Sequence, residues 1–170
     1  MNQSFSFTAK LLPGKLMFIL LFIPSFIMAQ NDPNEHIYQP ERLVLKKDTM
    51  TVSGTVLFVL NELDGDYHIR LRMDSDYVKL SKKNFTRQDS CIILEIVCGH
   101  QAIFPISCKC AGYDNKIAVP VVGMKVMVTG RLVYDRRHKW TELHPIYEMH
   151  EIKQVPQEIV RTKNVANTSR

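Results

Sequence analysis

The sequence lacks the motifs that mark several common enzyme classes. It has no G-x-S-x-G nucleophile elbow, no phosphate-binding glycine loop and no H-E-x-x-H helix. Asp64 and Asp66 flank a glycine, but the spacing of an EF-hand calcium loop is missing. No internal repeat or low-complexity tract is present. These absences argue against elbow-type serine hydrolases, P-loop proteins, zincin proteases and EF-hand proteins.

A long uninterrupted hydrophobic run is also missing, although the N-terminus comes near to one. Residues 1–15 contain Lys10 and Lys15 and no acid, and an apolar run follows over residues 16–28. This run is shorter than the roughly 20 residues of a membrane span, and Pro24 interrupts it. The pattern predicts a signal peptide over residues 1–29, cleaved after Ala29, rather than an uncleaved anchor. The mature chain is then periplasmic or extracellular, with no transmembrane anchor.

The excess of positive over negative charge is small. The full chain of 170 residues carries +5, and removing the two lysines of the signal peptide leaves +3. A nucleic-acid binder often has a stronger basic bias, so the charge tolerates an anionic partner without requiring one. The length predicts a single domain.

The four cysteines lie close together in the exported part: Cys91, Cys98, Cys108 and Cys110. An even count in an oxidising compartment favours two disulfides. A bond between Cys108 and Cys110 is strained, so we predict Cys98–Cys110 with Cys91–Cys108, and the crossed pairing is the alternative. The spacings are unlike the C-x₂₋₄-C pairs of zinc sites.

The remaining pattern predicts β-structure. Residues 30–48 are expected to form a flexible lead-in, 49–152 the folded domain and 153–170 a mobile tail. A loop or a helical turn is expected over residues 74–90, and Pro145 predicts an edge or a bulge in the last strand. The predicted strands span residues 51–60, 67–73, 91–98, 125–134 and 140–152.

These strands resemble the OB-fold, a five-stranded Greek-key barrel. The resemblance rests on residues 52–56, the Asp64-Gly-Asp66 hairpin and the G-x-x-V-x-V-x-G pattern of residues 123–130. It implies that strands 1 and 4 pair. A cysteine-rich loop stands between strands 3 and 4, where OB domains often have a helix. The D-G-D-Y-H and D-x-x-H-x-W-x-E-x-H-P patterns (residues 64–68 and 135–145) are similar to those of small exported OB-like domains without an assigned activity.

The last strand and the turn before it contain candidate metal ligands. Glu142 and His144 are two residues apart on a strand, so they face the same way, and His138 on the preceding turn could join them. Such a set could hold a divalent cation or act as an acid–base pair. The alternative is that these side chains form hydrogen bonds that fix the turn. Glu95 lies within an apolar run and needs a partner, for which Arg70, Arg72 and His144 are candidates.

A basic stripe predicts a ligand-binding surface. His68, Arg70 and Arg72 share one face of the second strand, and OB-folds bind oligonucleotides and oligosaccharides on the face of strands 2 and 3. Asp66 in the adjoining hairpin is a further candidate, although turn formation alone explains an Asp-Gly pair. A plain solvated face is the alternative for the stripe. The hairpin and the His138 turn need not share one end of the barrel.

The sequence is compatible with three functions. The leading hypothesis is an exported OB-like binding or interaction module without catalysis, which binds an oligosaccharide, a nucleic acid or an envelope protein. The alternative is a metal-dependent hydrolase, nuclease-like, that uses His138, Glu142 and His144. A purely structural envelope protein is the third. No organic cofactor is expected, and a divalent cation is compatible with the residues.

Overall fold

The computed structural model describes residues 32, 34–103, 109–113 and 115–153. The predicted signal peptide, residues 1–29, lies outside the described residues, as does the predicted tail from residue 154 onward. Within the described residues, no helix is long and apolar enough to cross a membrane.

The regular secondary structure of the described residues is mostly β-strand, as predicted. Between the second and third strands lies the short helix α1, Lys82–Arg87, within the segment for which a loop or helical turn is expected. The five strands are β1 (Leu43–Asn61), β2 (Tyr67–Met73), β3 (Ile92–Ile96), β4 (Lys125–Asp135) and β5 (Trp140–Glu151).

The five strands form one sheet that returns to its first strand. The hydrogen-bonded order is β1-β2-β3-β5-β4, and β4 also pairs with β1, as the resemblance implied. Every pairing is antiparallel except β3 with β5, where Ile93 lies opposite Glu142 and Leu94 opposite Leu143. We call this closed sheet the strand ring.

Strand β1 pairs with both β2 and β4, and Gly54 lies at a position where β1 pairs with both strands. Gly54 is opposite Met73 of β2 and Val126 of β4. A Cβ atom at this position would lie 2.3 Å from the carbonyl oxygen of Arg72. Only glycine allows β1 and β2 to approach so closely here, which explains the glycine within an otherwise β-forming segment.

The interior of the strand ring is aliphatic. Alternate residues of β2, β3 and β5 point inward, for example Ile69, Leu94 and Leu143, and each of these is fully buried. The residues between them therefore belong to the outer face. The buried members of this core are Val52, Val56, Ile69, Leu71, Ile92, Leu94, Ile96, Val126, Val128, Leu143 and Ile146.

The lead-in prediction is wrong for the part of residues 30–48 that the structure describes. A short 3-10 helix covers Pro40–Arg42, and β1 begins at Leu43. Ile37 is 1% exposed and packs with Val97 and Cys98 in a second apolar cluster. This segment is part of the folded unit because Ile37 is buried in that cluster and residues 43–48 form the start of β1.

Pro145 disturbs the pairing of β5 with β4, as predicted. Gly130 pairs with Ile146, whereas Leu132, two residues on, pairs with Leu143. One extra residue of β5 therefore bulges at this point, which removes the need for an amide hydrogen at the proline. The peptide bond between His144 and Pro145 is cis.

One predicted disulfide is present. Cys98 and Cys110 are bonded, with their Cα atoms 5.4 Å apart. The bond ties the end of β3 to the connection that leads toward β4. The predicted Cys91–Cys108 pair is wrong, because Cys91 is a buried free cysteine. Cys108 lies outside the described residues.

Candidate functional site

Three side chains on one face of β5 form a hydrogen-bonded series. His144 Nδ1 lies 3.0 Å from Glu142 Oε1, and Trp140 Nε1 donates to Glu142 Oε2 at 2.5 Å. The spacing of two residues puts all three on the same side of the strand. The predicted proximity of Glu142 and His144 is confirmed, and both side chains are 1% exposed.

A second pair faces this series from the neighbouring strands. His68 of β2 lies directly opposite Glu95 of β3, and His68 Nδ1 is 2.9 Å from Glu95 Oε1. The predicted partners of Glu95 were Arg70, Arg72 and His144, and the observed partner is instead His68. Arg70 is held elsewhere, by Gln88 and Asp89.

The two groups meet because β3 and β5 are neighbours. Glu95, Glu142 and His144 each offer one possible ligand atom, and these atoms lie within 4.8 Å of one another. The ring of His68 contacts the Trp140 ring edge-on, with centroids 5.5 Å apart. We call these five residues the buried polar cluster. It lies on the outer face of the strand ring, yet its ionisable members are at most 5% exposed.

Two atoms in the buried polar cluster have no hydrogen-bond partner among the described residues. They are Glu95 Oε2 and His144 Nε2. Most buried polar atoms are paired, so two orphaned atoms in one cluster require an explanation.

Burial shifts the pKa values of Glu95, of His68 and of the nearby Asp66. Desolvation and the neighbouring charge of Glu142 raise the pKa of Glu95. Desolvation lowers the pKa of His68 to about 4, so its ring is neutral near neutral pH. Desolvation and the charge of Asp64 raise the pKa of Asp66 to about 6. Burial therefore disfavours the charged forms of Glu95, Asp66 and His68.

His138 does not join Glu142 and His144. Its Nδ1 lies 2.9 Å from Asp135 Oδ2, and its ring stacks on Trp140 with centroids 4.5 Å apart. Asp135 also forms an ion pair with Arg42 and accepts the amide hydrogens of Arg137 and His138. Glu95 takes the place in the cluster that the sequence suggested for His138.

The predicted ligand-binding residues do not form one surface. His68 is buried, Arg70 is half-buried and engaged, and only Arg72 is exposed. Asp66 is 4% exposed and accepts the amide hydrogen of Cys98 at 2.7 Å, so it supports the hairpin and the disulfide region. The outer face of β2 and β3 is thus largely covered.

A pocket of about 450 Å³ opens where two loops meet. Residues 60–64, around the β1–β2 loop, line one side, and Arg137 and His138 of the β4–β5 turn line another. Tyr38 and Arg42 complete it. The two loops therefore share one end of the strand ring. We call this the loop pocket.

The sequence did not point to Tyr38 or Arg42, since both lie in the segment predicted to be flexible. The apolar residues Leu43, Val44 and Leu45, directly after Arg42, are the signal that would have extended β1 backwards. Glu62 also lines the pocket, and its carboxylate is 3.7 Å from His68 Nδ1, so it lies between the pocket and the buried polar cluster.

The comparisons with known proteins give no family for this chain: no family model and no curated protein matches it.

Proposed function

We propose that the protein is an exported OB-type binding module that holds an oligosaccharide in the loop pocket. The OB assignment is supported by the strand order, in which β1 pairs with both β2 and β4. OB-folds bind ligands with the β1–β2 and β4–β5 loops as well as with strands 2 and 3. The disulfide between Cys98 and Cys110 fits an oxidising compartment and hence export.

The observation that carries the proposal is the shared lining of the loop pocket. Both loops that OB-folds use for binding contribute to one concavity. Since the face of β2 and β3 is largely covered, the loop pocket is the more open part of such a binding surface. Its mixture of a tyrosine ring, leucines and hydrogen-bonding side chains is typical of a small-molecule site.

The charges around the loop pocket favour a neutral ligand over a polyanion. Arg42 and Arg137 line it, but so do the carboxylates of Glu62 and Asp64. Arg42 is already paired with Asp135. Phosphates gain affinity by releasing counterions from basic surfaces, and this surface offers little net positive charge. An oligosaccharide uses the same donors and acceptors without that requirement.

The test measures binding of neutral oligosaccharides, such as chito-, cello- and malto-oligomers, to the mature chain by isothermal titration calorimetry. Tyr38→Ala and Arg137→Ala are expected to weaken binding at least tenfold. Arg136→Ala is the matched control, because Arg136 is the exposed neighbour of Arg137 and does not line the pocket. Affinity should not change with salt.

Two results would overturn the proposal. One is binding that Tyr38→Ala and Arg137→Ala leave unchanged. The other is preference for an oligothymidylate with affinity that falls steeply with salt, which would indicate a nucleic-acid module instead.

A metal-dependent hydrolase that uses His138, Glu142 and His144 is not proposed. The geometry separates His138 from the other two residues and pairs it with Asp135.

A further inference from the structure

His144 is held in the way that metal-binding histidines are held. A carboxylate only accepts hydrogen bonds, so the 3.0 Å contact means that Nδ1–H of His144 donates to Glu142. This tautomer leaves a lone pair on Nε2, and Nε2 is buried without a partner among the described residues. Histidine ligands of metals commonly donate their other ring N–H to a carboxylate in this manner. Trp140 fixes that carboxylate in turn.

Glu95 presents a matching free atom. Its Oε1 is engaged by His68 Nδ1, whereas its Oε2 is buried and unpartnered within the described chain. The possible ligand atoms of Glu95, Glu142 and His144 lie within 4.8 Å of one another. The orphaned atoms thus belong to two residues that already converge, and each residue is oriented by a further hydrogen bond.

Several carboxyl groups in this region are buried with few cations beside them. Glu95, Glu142 and Asp66 are three buried carboxyl groups, and Arg42 is a permanent cation whose charge acts on Glu95. Arg42 is committed to Asp135. A bound cation would stabilise the ionised form of Glu95 and also satisfy the orphaned atoms of Glu95 and His144.

We propose that Glu95, Glu142 and His144 form a binding site for a divalent transition-metal ion of the Zn²⁺ class. The mixed nitrogen and oxygen donors favour such an ion over Ca²⁺ or Mg²⁺, which prefer oxygen ligands in larger number. His144 binds through Nε2 and Glu95 through Oε2. Glu142 orients His144 and contributes charge. The site is separate from the loop pocket and does not depend on an oligosaccharide ligand.

A second convergence of possible ligands does not qualify. Asp66, Cys98 and Cys110 also lie close together, but the two sulfur atoms are joined in a disulfide and cannot act as thiolates.

The test uses the mature protein, stripped with a chelator and then titrated with Zn²⁺ alone by calorimetry. One ion per chain is expected to bind. Glu95→Gln and His144→Asn are expected to weaken binding at least tenfold, and Glu142→Gln by about 10- to 100-fold, as is usual for groups that orient a ligand. Cobalt loading should give the absorption bands of a site with nitrogen and oxygen ligands.

The chain offers a matched control pair on the same strand. Glu148 and His150 have the same spacing as Glu142 and His144, but both are exposed, with 3.5 Å between His150 Nε2 and Glu148 Oε2. Glu148→Gln and His150→Asn should leave Zn²⁺ binding unchanged.

Several outcomes would overturn the inference. These are failure of the wild-type protein to bind Zn²⁺ at one site, preference for Ca²⁺ or Mg²⁺, and loss of binding in the control variants instead of the cluster variants. Where a cluster variant does not fold, the wild-type stoichiometry and the cobalt spectrum decide alone. Cobalt bands without nitrogen ligation would then refute the site. Loss of oligosaccharide binding by loop-pocket variants is a separate result, so the two proposals can fail independently.

Discussion

Removing the charge of Asp135 should destabilise the protein more than any surface substitution. Asp135 is fully buried, and its carboxylate accepts the amide hydrogens of Arg137 and His138 and pairs with Arg42 and the His138 ring. The side chain of Arg42 is only 13% exposed. Asp135→Asn therefore leaves a mostly buried guanidinium without its counter-charge.

The expected magnitude follows from this burial. Breaking a buried ion pair by removing one partner costs about 3–5 kcal/mol. The asparagine oxygen can still accept the two amide hydrogens, and Arg42 reaches some water, so we expect the lower end, about 3 kcal/mol. Asp135→Ala also orphans the amides and should cost about 1 kcal/mol more for each.

Urea unfolding followed by tryptophan fluorescence measures this effect. Trp140 is the only tryptophan and stacks on His138 beside Asp135. With a slope of about 1–3 kcal/mol per molar urea, a loss of 3 kcal/mol moves the midpoint by about 1 M or more. Asp48→Asn is the matched control, because Asp48 is 81% exposed and lies 3.8 Å from Arg131. It should change stability by no more than about 0.5 kcal/mol.

The same pair gives a pH dependence with a definite sign. Burial alone would raise the pKa of Asp135, but the hydrogen bonds from His138 and the charge of Arg42 hold that pKa well below its usual range. The stabilisation is therefore present above the unfolded pKa of about 4 and is lost as the pH falls toward the folded pKa. The difference between wild type and Asp135→Asn should shrink below about pH 4. Equal midpoints for Asp135→Asn and Asp48→Asn near neutral pH would refute the reasoning.

Three further changes should also destabilise the fold, each measured by urea unfolding. Asn84→Ala removes a fully buried amide that bonds to Ser81, Cys91 and Thr141, and it should cost about 3 kcal/mol; a loss under about 1 kcal/mol would contradict this account. Gly54→Ala should cost about 2 kcal/mol or more, because its Cβ meets a backbone oxygen, and wild-type stability would refute that clash. Reducing the Cys98–Cys110 bond, with 12 residues of separation, should cost about 3 kcal/mol, and an unchanged midpoint would show that the bond is not structural.

The strands could be predicted from the sequence where one face is buried. β2 shows strict alternation, and its predicted bounds agree with the structure. The first part of β1 was missed because Lys46, Lys47 and Asp48 give it a polar, exposed character. That part pairs only with β4, and partner choice is not encoded in local alternation.

Only the part of the candidate site whose residues are close together in the sequence could be predicted. Glu142 and His144 share a face by strand geometry alone, and the structure agrees. The contact of His68 with Glu95 depends on the register of β2 against β3, which lies outside any short window. The prediction that His138 joins Glu142 and His144 is wrong, because its ring hydrogen-bonds to Asp135, three residues earlier in the chain.

The burial of the outer face could not be predicted from the sequence either. The alternation in β2 correctly separates Ile69 from His68, but it does not reveal that the face carrying His68 is covered. That covering moves the open binding surface from the strands to the two loops.

The central claim is that ligands bind in the loop pocket rather than on the face of β2. Backbone amide NMR shifts recorded during titration with a neutral chito-oligosaccharide test it most directly. The account predicts shifts concentrated at Tyr38, Asn61, Asp64 and His138. Shifts concentrated around Arg72, with those four amides unmoved at saturation, would contradict it.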